Sequence, residues 1–195
     1  MRIRSVLTSI TPLSLASMMF ALFATQASGQ EIFGAKFTHQ LTPPEACTTK
    51  KSAMCSWVQL EAQGNAAHAK APRDGTISKI RLVACAPRGS FVLQIVRVKS
   101  GEKAQVISTG PVINYQGTKR NCRASRGFDV EEFNVNVPVS QGDSLAVVAT
   151  EVRFLYNASS GPSIMFDPPL AEGDALRTTG LASGFLMMQA ELAPP

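Results

Sequence analysis

The stretch FDVEEFNVNVPVSQGDSLAVVAT, residues 128–150, decides the fold class. From Phe133 to Val139 every second residue is apolar, and the residues between are asparagine or proline. Successive side chains of a β-strand point to opposite faces, so this pattern predicts a strand with one buried face. Residues 140–143, SQGD, predict a turn, and LAVVA at 145–149 is apolar on both faces, as in a central strand. The stretch therefore predicts an antiparallel hairpin in an all-β protein.

Similar strand patterns recur along the chain, separated by glycine, proline, serine and aspartate, and no segment has a convincing helical period. The further predicted strands lie at residues 35–39, 56–62, 76–83, 91–98, 104–108, 112–115, 164–166 and 184–192. The last of them is predicted to pair with an early strand. Many short, regularly spaced strands are typical of a two-sheet antiparallel β-sandwich, and we predict one of jelly-roll type.

The first 29 residues have the organisation of a signal peptide. Arg2 and Arg4 precede an apolar stretch at 10–24, which is followed by the small-residue sequence ATQASGQ. The stretch is shorter than the roughly 20 apolar residues of a membrane span, and no later segment is apolar enough to span a bilayer. We predict cleavage after Ala27 or Gly29. The remaining residues, 30–195, are then a single β-sandwich domain, secreted or periplasmic.

The charge of the chain is mildly basic. Its formal net charge is +5, and it falls to +3 when Arg2 and Arg4 leave with the signal peptide. Lysines and arginines are scattered, whereas a nucleic-acid interface needs a basic stripe with aromatic partners. We therefore expect no nucleic-acid partner. A small positive charge is compatible with an anionic wall polymer or with lipid headgroups.

The four cysteines follow the predicted signal peptide. An even number in an oxidising compartment predicts two disulfides, for which three connectivities exist. We favour Cys47–Cys55, which closes a short loop before a strand, and Cys85–Cys122, which joins two loops between strands. The cysteines lack the tight C-x₂-C spacing of a metal site, so we predict neither a metal nor another cofactor.

Groups for catalysis are sparse. The two histidines, His39 and His68, lie in a predicted edge strand and a predicted loop, and no G-x-S-x-G motif is present. The densest acidic group is Asp129, Glu131 and Glu132, and two carboxylates facing a cleft are what glycoside hydrolysis requires. These carboxylates are the basis for an alternative interpretation as an extracellular hydrolase.

A binding surface is easier to derive from the sequence. Trp57, Tyr115 and Tyr156 are predicted to form a platform on which sugar rings stack, with hydrogen bonds to the sugar hydroxyls from Arg97, Arg153 or Glu61. The competing interpretation places Trp57 in the core, because it stands on a strand beside Val58. Tyr156 lies in a loop-like stretch and is the better candidate for an exposed ring.

Several segments resemble parts of exported bacterial proteins of undetermined function. They are CSWVQLEAQG, KAPRDGTISKIRLVA, SFVLQIVRVK, GPVINYQG, EEFNVNVPVSQGDSLAV and IMFDPPL, within residues 55–190. Those proteins typically carry a signal peptide and fold as β-sandwiches, so the resemblance implies the same fold and no catalytic residues. In architecture alone, the predicted fold also resembles jelly-roll carbohydrate-binding modules.

Three functions remain open at this stage. The first is an exported, non-catalytic binding module for an extracellular polysaccharide or an anionic wall polymer. The second is a structural cell-envelope protein that self-associates through exposed strand edges, and the third is the carboxylate-dependent hydrolase. The oligomeric state is left open.

Overall fold

The computed structural model describes residues 31–47, 53–62, 65–100, 103–156, 163–178, 181–182 and 184–195. The predicted signal peptide, residues 1–29, lies outside them. The described residues are all-β apart from one 3₁₀ helix at Ala66–Ala69. The strands are β1 Ile32–Gly34, β2 Glu45–Ala46, β3 Cys55–Gln59, β4 Gly75–Leu82, β5 Gly89–Lys99, β6 Lys103–Tyr115, β7 Glu131–Val139, β8 Ser144–Ala149, β9 Glu151–Val152, β10 Leu155–Tyr156, β11 Ser163–Phe166, β12 Arg177–Thr178, β13 Leu181–Ala182, β14 Phe185–Leu186 and β15 Met188–Leu192. None of the helical structure in these ranges is long and apolar enough to cross a membrane.

Two large antiparallel sheets contain most of the strands. The seven-stranded sheet has the order β12-β6-β5-β8-β3-β11-β13, and the four-stranded sheet has the order β1-β15-β4-β7. Two small sheets, β2-β9 and β10-β14, complete the pairing. The last strand, β15, lies between β1 and β4, which confirms its predicted pairing with an early strand.

The predicted hairpin of residues 133–149 is wrong in its pairing, although its burial pattern is right. β7 alternates between its two faces and β8 is buried throughout. However, β7 pairs with β4, while β8 is inserted between β3 and β5 in the other sheet. The turn between them crosses from one sheet to the other. It is held by Asp143, whose buried carboxylate accepts hydrogen bonds from Arg97 and from the amide of Ser140.

Two other strand predictions also needed correction. The first strand is Ile32–Gly34 rather than residues 35–39. Residues 104–108 and 112–115 belong to one strand, β6, which continues through Gly110 and Pro111. The register between β5 and β6 shifts opposite this pair. A bulge explains how the strand tolerates a proline, since proline cannot donate a ladder hydrogen bond.

The core takes side chains from both large sheets. One hydrophobic cluster contains Ile80 of β4, Val137 of β7, Trp57 of β3 and Leu93 of β5. A second cluster covers the other face of the seven-stranded sheet, where Val58 packs with Leu170. The centre of the seven-stranded sheet is therefore buried on both faces, which explains the continuous apolar run of β8.

Both predicted disulfides are confirmed. Cys47 is bonded to Cys55 with a Cα–Cα distance of 5.6 Å, and Cys85 is bonded to Cys122 with a Cα–Cα distance of 4.7 Å. The second bond ties the segment between β4 and β5 to the long loop between β6 and β7. It therefore brings together two regions that are far apart in sequence.

Candidate functional site

The four residues predicted to bind a ligand lie in different environments. Trp57 is fully buried in the core, and the indole Nε1 has no hydrogen-bond partner among the described residues. Tyr115 is only 2% exposed, and Tyr156 and Arg153 are half-buried. The three aromatic rings therefore do not share an exposed surface on which sugars stack.

Tyr156 belongs to a small aromatic cluster of its own. Its ring centroid lies 4.3 Å from that of His39 and 4.9 Å from that of Phe185. β10 and β14 create this cluster by pairing Tyr156 directly with Phe185. Tyr156 does not line the polar cleft, described next, where Tyr115 and Arg153 meet.

That cleft lies where β5 begins and β6 ends, and we call it the Tyr115 cleft. It consists of two adjoining cavities of about 410 and 230 Å³ that share Arg88, Gly89, Ser90 and Tyr115. Its remaining lining residues are Pro87, Asn114, Gln116, Thr150, Glu151 and Arg153. The cleft therefore unites two of the four predicted residues, Tyr115 and Arg153, and has a largely polar lining.

The register of β5 and β6 explains how Tyr115 reaches the cleft. Gly89 lies directly opposite Tyr115, and Ser90 lies opposite Asn114. A Cβ atom on Gly89 would lie 2.7 Å from Cζ of Tyr115, so only glycine leaves room for the ring. The phenol can thus lie across the end of the hairpin with its hydroxyl over Gly89. This hydroxyl forms no hydrogen bond with any other described residue.

The inner part of the Tyr115 ring is packed among other aromatic rings. Its centroid lies 5.7 Å from that of Phe154, edge to face, and 6.3 Å from that of Phe91. Burial raises the pKa of Tyr115 to about 12. Arg153 acts in the opposite direction, and Glu151 and Glu131 add smaller increases. The hydroxyl is therefore a neutral donor and acceptor at ordinary pH.

Titration of the two tyrosines by ultraviolet absorbance is expected to show one phenol ionising near pH 12, and Tyr115→Phe should remove that step. A tyrosine in the unfolded chain ionises near pH 10. The folded protein therefore holds this proton to higher pH, so the stabilising contribution of Tyr115 is constant below pH 10 and is lost between about pH 10 and 12. A shift of two units corresponds to roughly 2–3 kcal/mol. A Tyr115 phenol that ionises near pH 10 in the folded protein would contradict this account.

Arg153 is held beside Tyr115 by several bonds. Its guanidinium Nη2 lies 2.8 Å from a carboxylate oxygen of Glu151, and its Nη1 donates to the carbonyl oxygen of Ala86 at 3.5 Å. Its backbone carbonyl accepts a hydrogen bond from the amide of Cys85. The arginine is therefore oriented by the same segment that carries the Cys85–Cys122 disulfide.

A basic loop adjoins the cleft, and we call residues 116–127 the cationic loop. Its exposed charged residues are Lys119, Arg120, Arg123 and Arg126. The loop is bonded to the segment before β5, because the backbone amide of Ala86 donates to the carbonyl of Thr118 and the side-chain amide of Asn121 donates to the carbonyl of Ala84. The disulfide through Cys122 adds a covalent link.

Two of the three acidic residues that suggested a hydrolase hold this loop in place. Glu131 accepts hydrogen bonds from the backbone amides of Gln116 and Gly117, each at 2.8 Å. Asp129 accepts from the Thr118 hydroxyl and from the Arg120 guanidinium, each at 3.0 Å. Neither carboxylate lines the Tyr115 cleft.

The third acidic residue, Glu132, lies on the outer surface of the four-stranded sheet. Its carboxylate pairs with Lys79 and with Arg81, each at 3.1 Å. The hydrogen bond from Lys79 is the main cause that lowers the pKa of Glu132. Glu132 is therefore paired with residues of β4, whereas the other two carboxylates are bonded to the cationic loop.

One grouping of metal-ligand types occurs among the described residues. Cys47, Cys55 and Asp167 bring potential ligand atoms within 4.8 Å of one another. The two sulfurs are bonded to each other, so they offer no thiolate to a metal. We assign no metal to this group.

Sequence reasoning missed the residues that complete the cleft, chiefly Arg88, Ser90 and Glu151. The available signal was the Cys85–Cys122 pair, since this bond places the turn at residues 86–89 beside the basic loop.

No protein-family model matches the chain, and no curated protein or solved structure matches it either. The function must therefore be argued from the site.

Proposed function

We propose that this chain is an exported, non-catalytic binding module that holds an acidic polysaccharide, or another anionic wall polymer, at the Tyr115 cleft and the cationic loop. The observation that carries the proposal is the distribution of charge around the cleft. Asp129 and Glu151 each neutralise one arginine. Arg88, Lys119, Arg123 and Arg126 form no ion pair with any carboxylate in the described part of the chain.

The chemistry of the cleft suits a polymer with both hydroxyl and acidic groups. Tyr115, Ser90 and Thr150 supply hydroxyls, and Asn114 and Gln116 supply amides, for hydrogen bonds to sugar hydroxyls. Arginine presents a planar fork of donors that fits carboxylate and phosphate. An extended polymer can therefore place its hydroxyls in the cleft and its acidic groups on the loop.

The proposed setting is extracellular or periplasmic, and the proposed fold is a jelly-roll-like sandwich of the two large sheets. Two disulfides suit an oxidising compartment. The core shared by the two sheets supports the sandwich. Intact-mass measurement of protein recovered from outside the cytoplasm tests export. We expect the chain to begin at Ser28 or Gln30, and an unprocessed chain retained in the cytoplasm would contradict this part of the proposal.

Affinity electrophoresis tests the binding function. Native gels that contain polygalacturonate are expected to retard the protein, whereas gels that contain neutral dextran should not. Added salt should weaken the retardation, because exposed charges are screened within about 10 Å at 0.1 M ionic strength. Equal mobility in all gels would overturn the proposal.

Self-association is a second candidate, and the outer edge of β6 favours it. Among the described residues, β12 pairs with β6 at Lys103 and Ala104, and Glu172 forms a bridge to Val106, whereas Val112 is 60% exposed farther along that strand. An open strand edge with apolar side chains is a template for another strand. Light scattering over a range of concentrations tests this candidate, which predicts growing mass, whereas a constant monomer mass would rule it out.

A further inference from the structure

A separate pocket on the outer surface of the four-stranded sheet combines apolar walls with positive charge. It has a volume of about 470 Å³, within the range of small-molecule sites. β1 forms one wall and the 3₁₀ helix another, while Arg81 of β4 contributes to its lining. None of its lining residues belongs to the Tyr115 cleft.

The apolar part of the pocket includes a side chain that is exposed to solvent. Ile32 is 45% exposed although it stands in a strand, and it lines the pocket together with Phe33 and Pro72. An apolar ligand chain that covered Ile32 would remove this surface from water, which the hydrophobic effect favours.

The polar part of the pocket has one sign of charge. Lys36, Lys70 and Arg81 line it, and His68 stands beside them, whereas no carboxylate is among its lining residues. The guanidinium of Arg81 already donates hydrogen bonds to the side chains of Glu132 and Gln189. Lys70 forms no ion pair with a carboxylate in the described ranges, so its ammonium is the main cation that a ligand can use.

We propose that this pocket binds a single-chain amphipathic anion, with the apolar chain along Ile32 and the carboxylate at Lys70. The combination selects against two other ligand classes. A simple inorganic anion would leave Ile32 in water, and a cationic amphiphile would be repelled by Lys70 and Arg81. This site is independent of the polymer-binding proposal, because the two surfaces share no residue.

Isothermal titration and amide chemical shifts test the site on the protein as recovered from expressing cells. Decanoate is expected to bind with a stoichiometry of one and to shift the amides of residues 32–34 and 67–70. Decyltrimethylammonium, with the same chain and the opposite charge, should bind at least about tenfold more weakly. Acetate should show no saturable binding.

Two variants and one control locate the interaction. Lys70→Glu should weaken decanoate binding by at least about tenfold, since it replaces a charge-assisted bond with repulsion. Ile32→Ser should also weaken it while leaving the fold intact, because this side chain is exposed. Lys99→Glu, which makes the same charge change at a residue outside the lining of the pocket, should leave the affinity unchanged. Equal affinity for the two amphiphiles, undiminished binding by Lys70→Glu, or binding to lipid vesicles without binding to decanoate would each overturn the proposal.

Discussion

Replacing Cys85 and Cys122 together with alanine is expected to lower the free energy of unfolding by about 4 kcal/mol. The two cysteines are 37 residues apart in sequence. In the chain-entropy model, a bond that closes a loop of this length lowers the entropy of the unfolded ensemble. This raises the free energy of unfolding by roughly 4 kcal/mol. The loss should be large because the bond also anchors the cationic loop to the segment before β5.

Urea denaturation followed by the fluorescence of Trp57 measures this loss, since Trp57 is the single tryptophan and is fully buried. The double variant Cys47→Ala/Cys55→Ala is the natural comparison. Its cysteines are eight residues apart, for which the same model gives about 2.5 kcal/mol, and loss of packing at buried Cys55 adds to this. A loss below about 1 kcal/mol for the Cys85/Cys122 variant would show that the loop is held without the bond.

The second large effect is expected at the turn that joins the two sheets. Asp143→Ala should destabilise the protein by about 3 kcal/mol. The side chain of Asp143 is fully buried and accepts two hydrogen bonds from Arg97, at 2.8 and 3.1 Å, and one from the amide of Ser140. Removing a buried partner leaves these donors unsatisfied. The Arg97 side chain is 39% exposed and so regains some water, which places the loss at the lower end of the range for buried pairs.

Two controls separate this effect from a general loss of charge. Asp143→Asn keeps the size of the side chain and one acceptor, so its loss should be smaller. Glu31→Ala removes a partner from Arg73 at a site where the carboxylate is exposed to water rather than buried, and it should cost less than about 1 kcal/mol. An Asp143→Ala variant as stable as Glu31→Ala would contradict the importance of this buried pair.

Local patterns predicted the strands better than they predicted the partners of those strands. The alternation from Phe133 to Val139 identified β7 and its buried face, and the apolar run at 145–149 identified β8 as a central strand. The turn at residues 140–143 was consistent with a hairpin, but Asp143 is bonded to Arg97 on β5. A side chain that accepts bonds from a distant strand leaves no periodic signal in the sequence, so the crossing between sheets was not predictable.

The site was predictable only in part for a similar reason. Composition and residue type suggested Tyr115 and Arg153, and both line the cleft. The cationic loop was recognisable as a basic segment anchored by Cys122, but its position beside Arg88 depends on the disulfide and on the register of β5 with β6. Trp57 was expected either on a surface or in the core, and its neighbours in β3 and β8 place it in the core.

In the proposed binding mode, the anionic polymer is held by the cationic loop and not through the net charge of the protein alone. Two double variants of equal charge separate these causes: Arg123→Glu/Arg126→Glu in the loop, and Lys99→Glu/Lys103→Glu at the other end of the β5–β6 hairpin. The second pair lies about 30 Å from the cleft, given the rise of an extended strand.

Isothermal titration with polygalacturonate, at low and at physiological ionic strength, measures the affinity of both variants and of the unaltered protein. The loop variant is expected to bind at least about tenfold more weakly, while the distal variant keeps most of the affinity. Equal losses in the two variants would contradict the proposed site, and so would the absence of binding by the unaltered protein at low ionic strength.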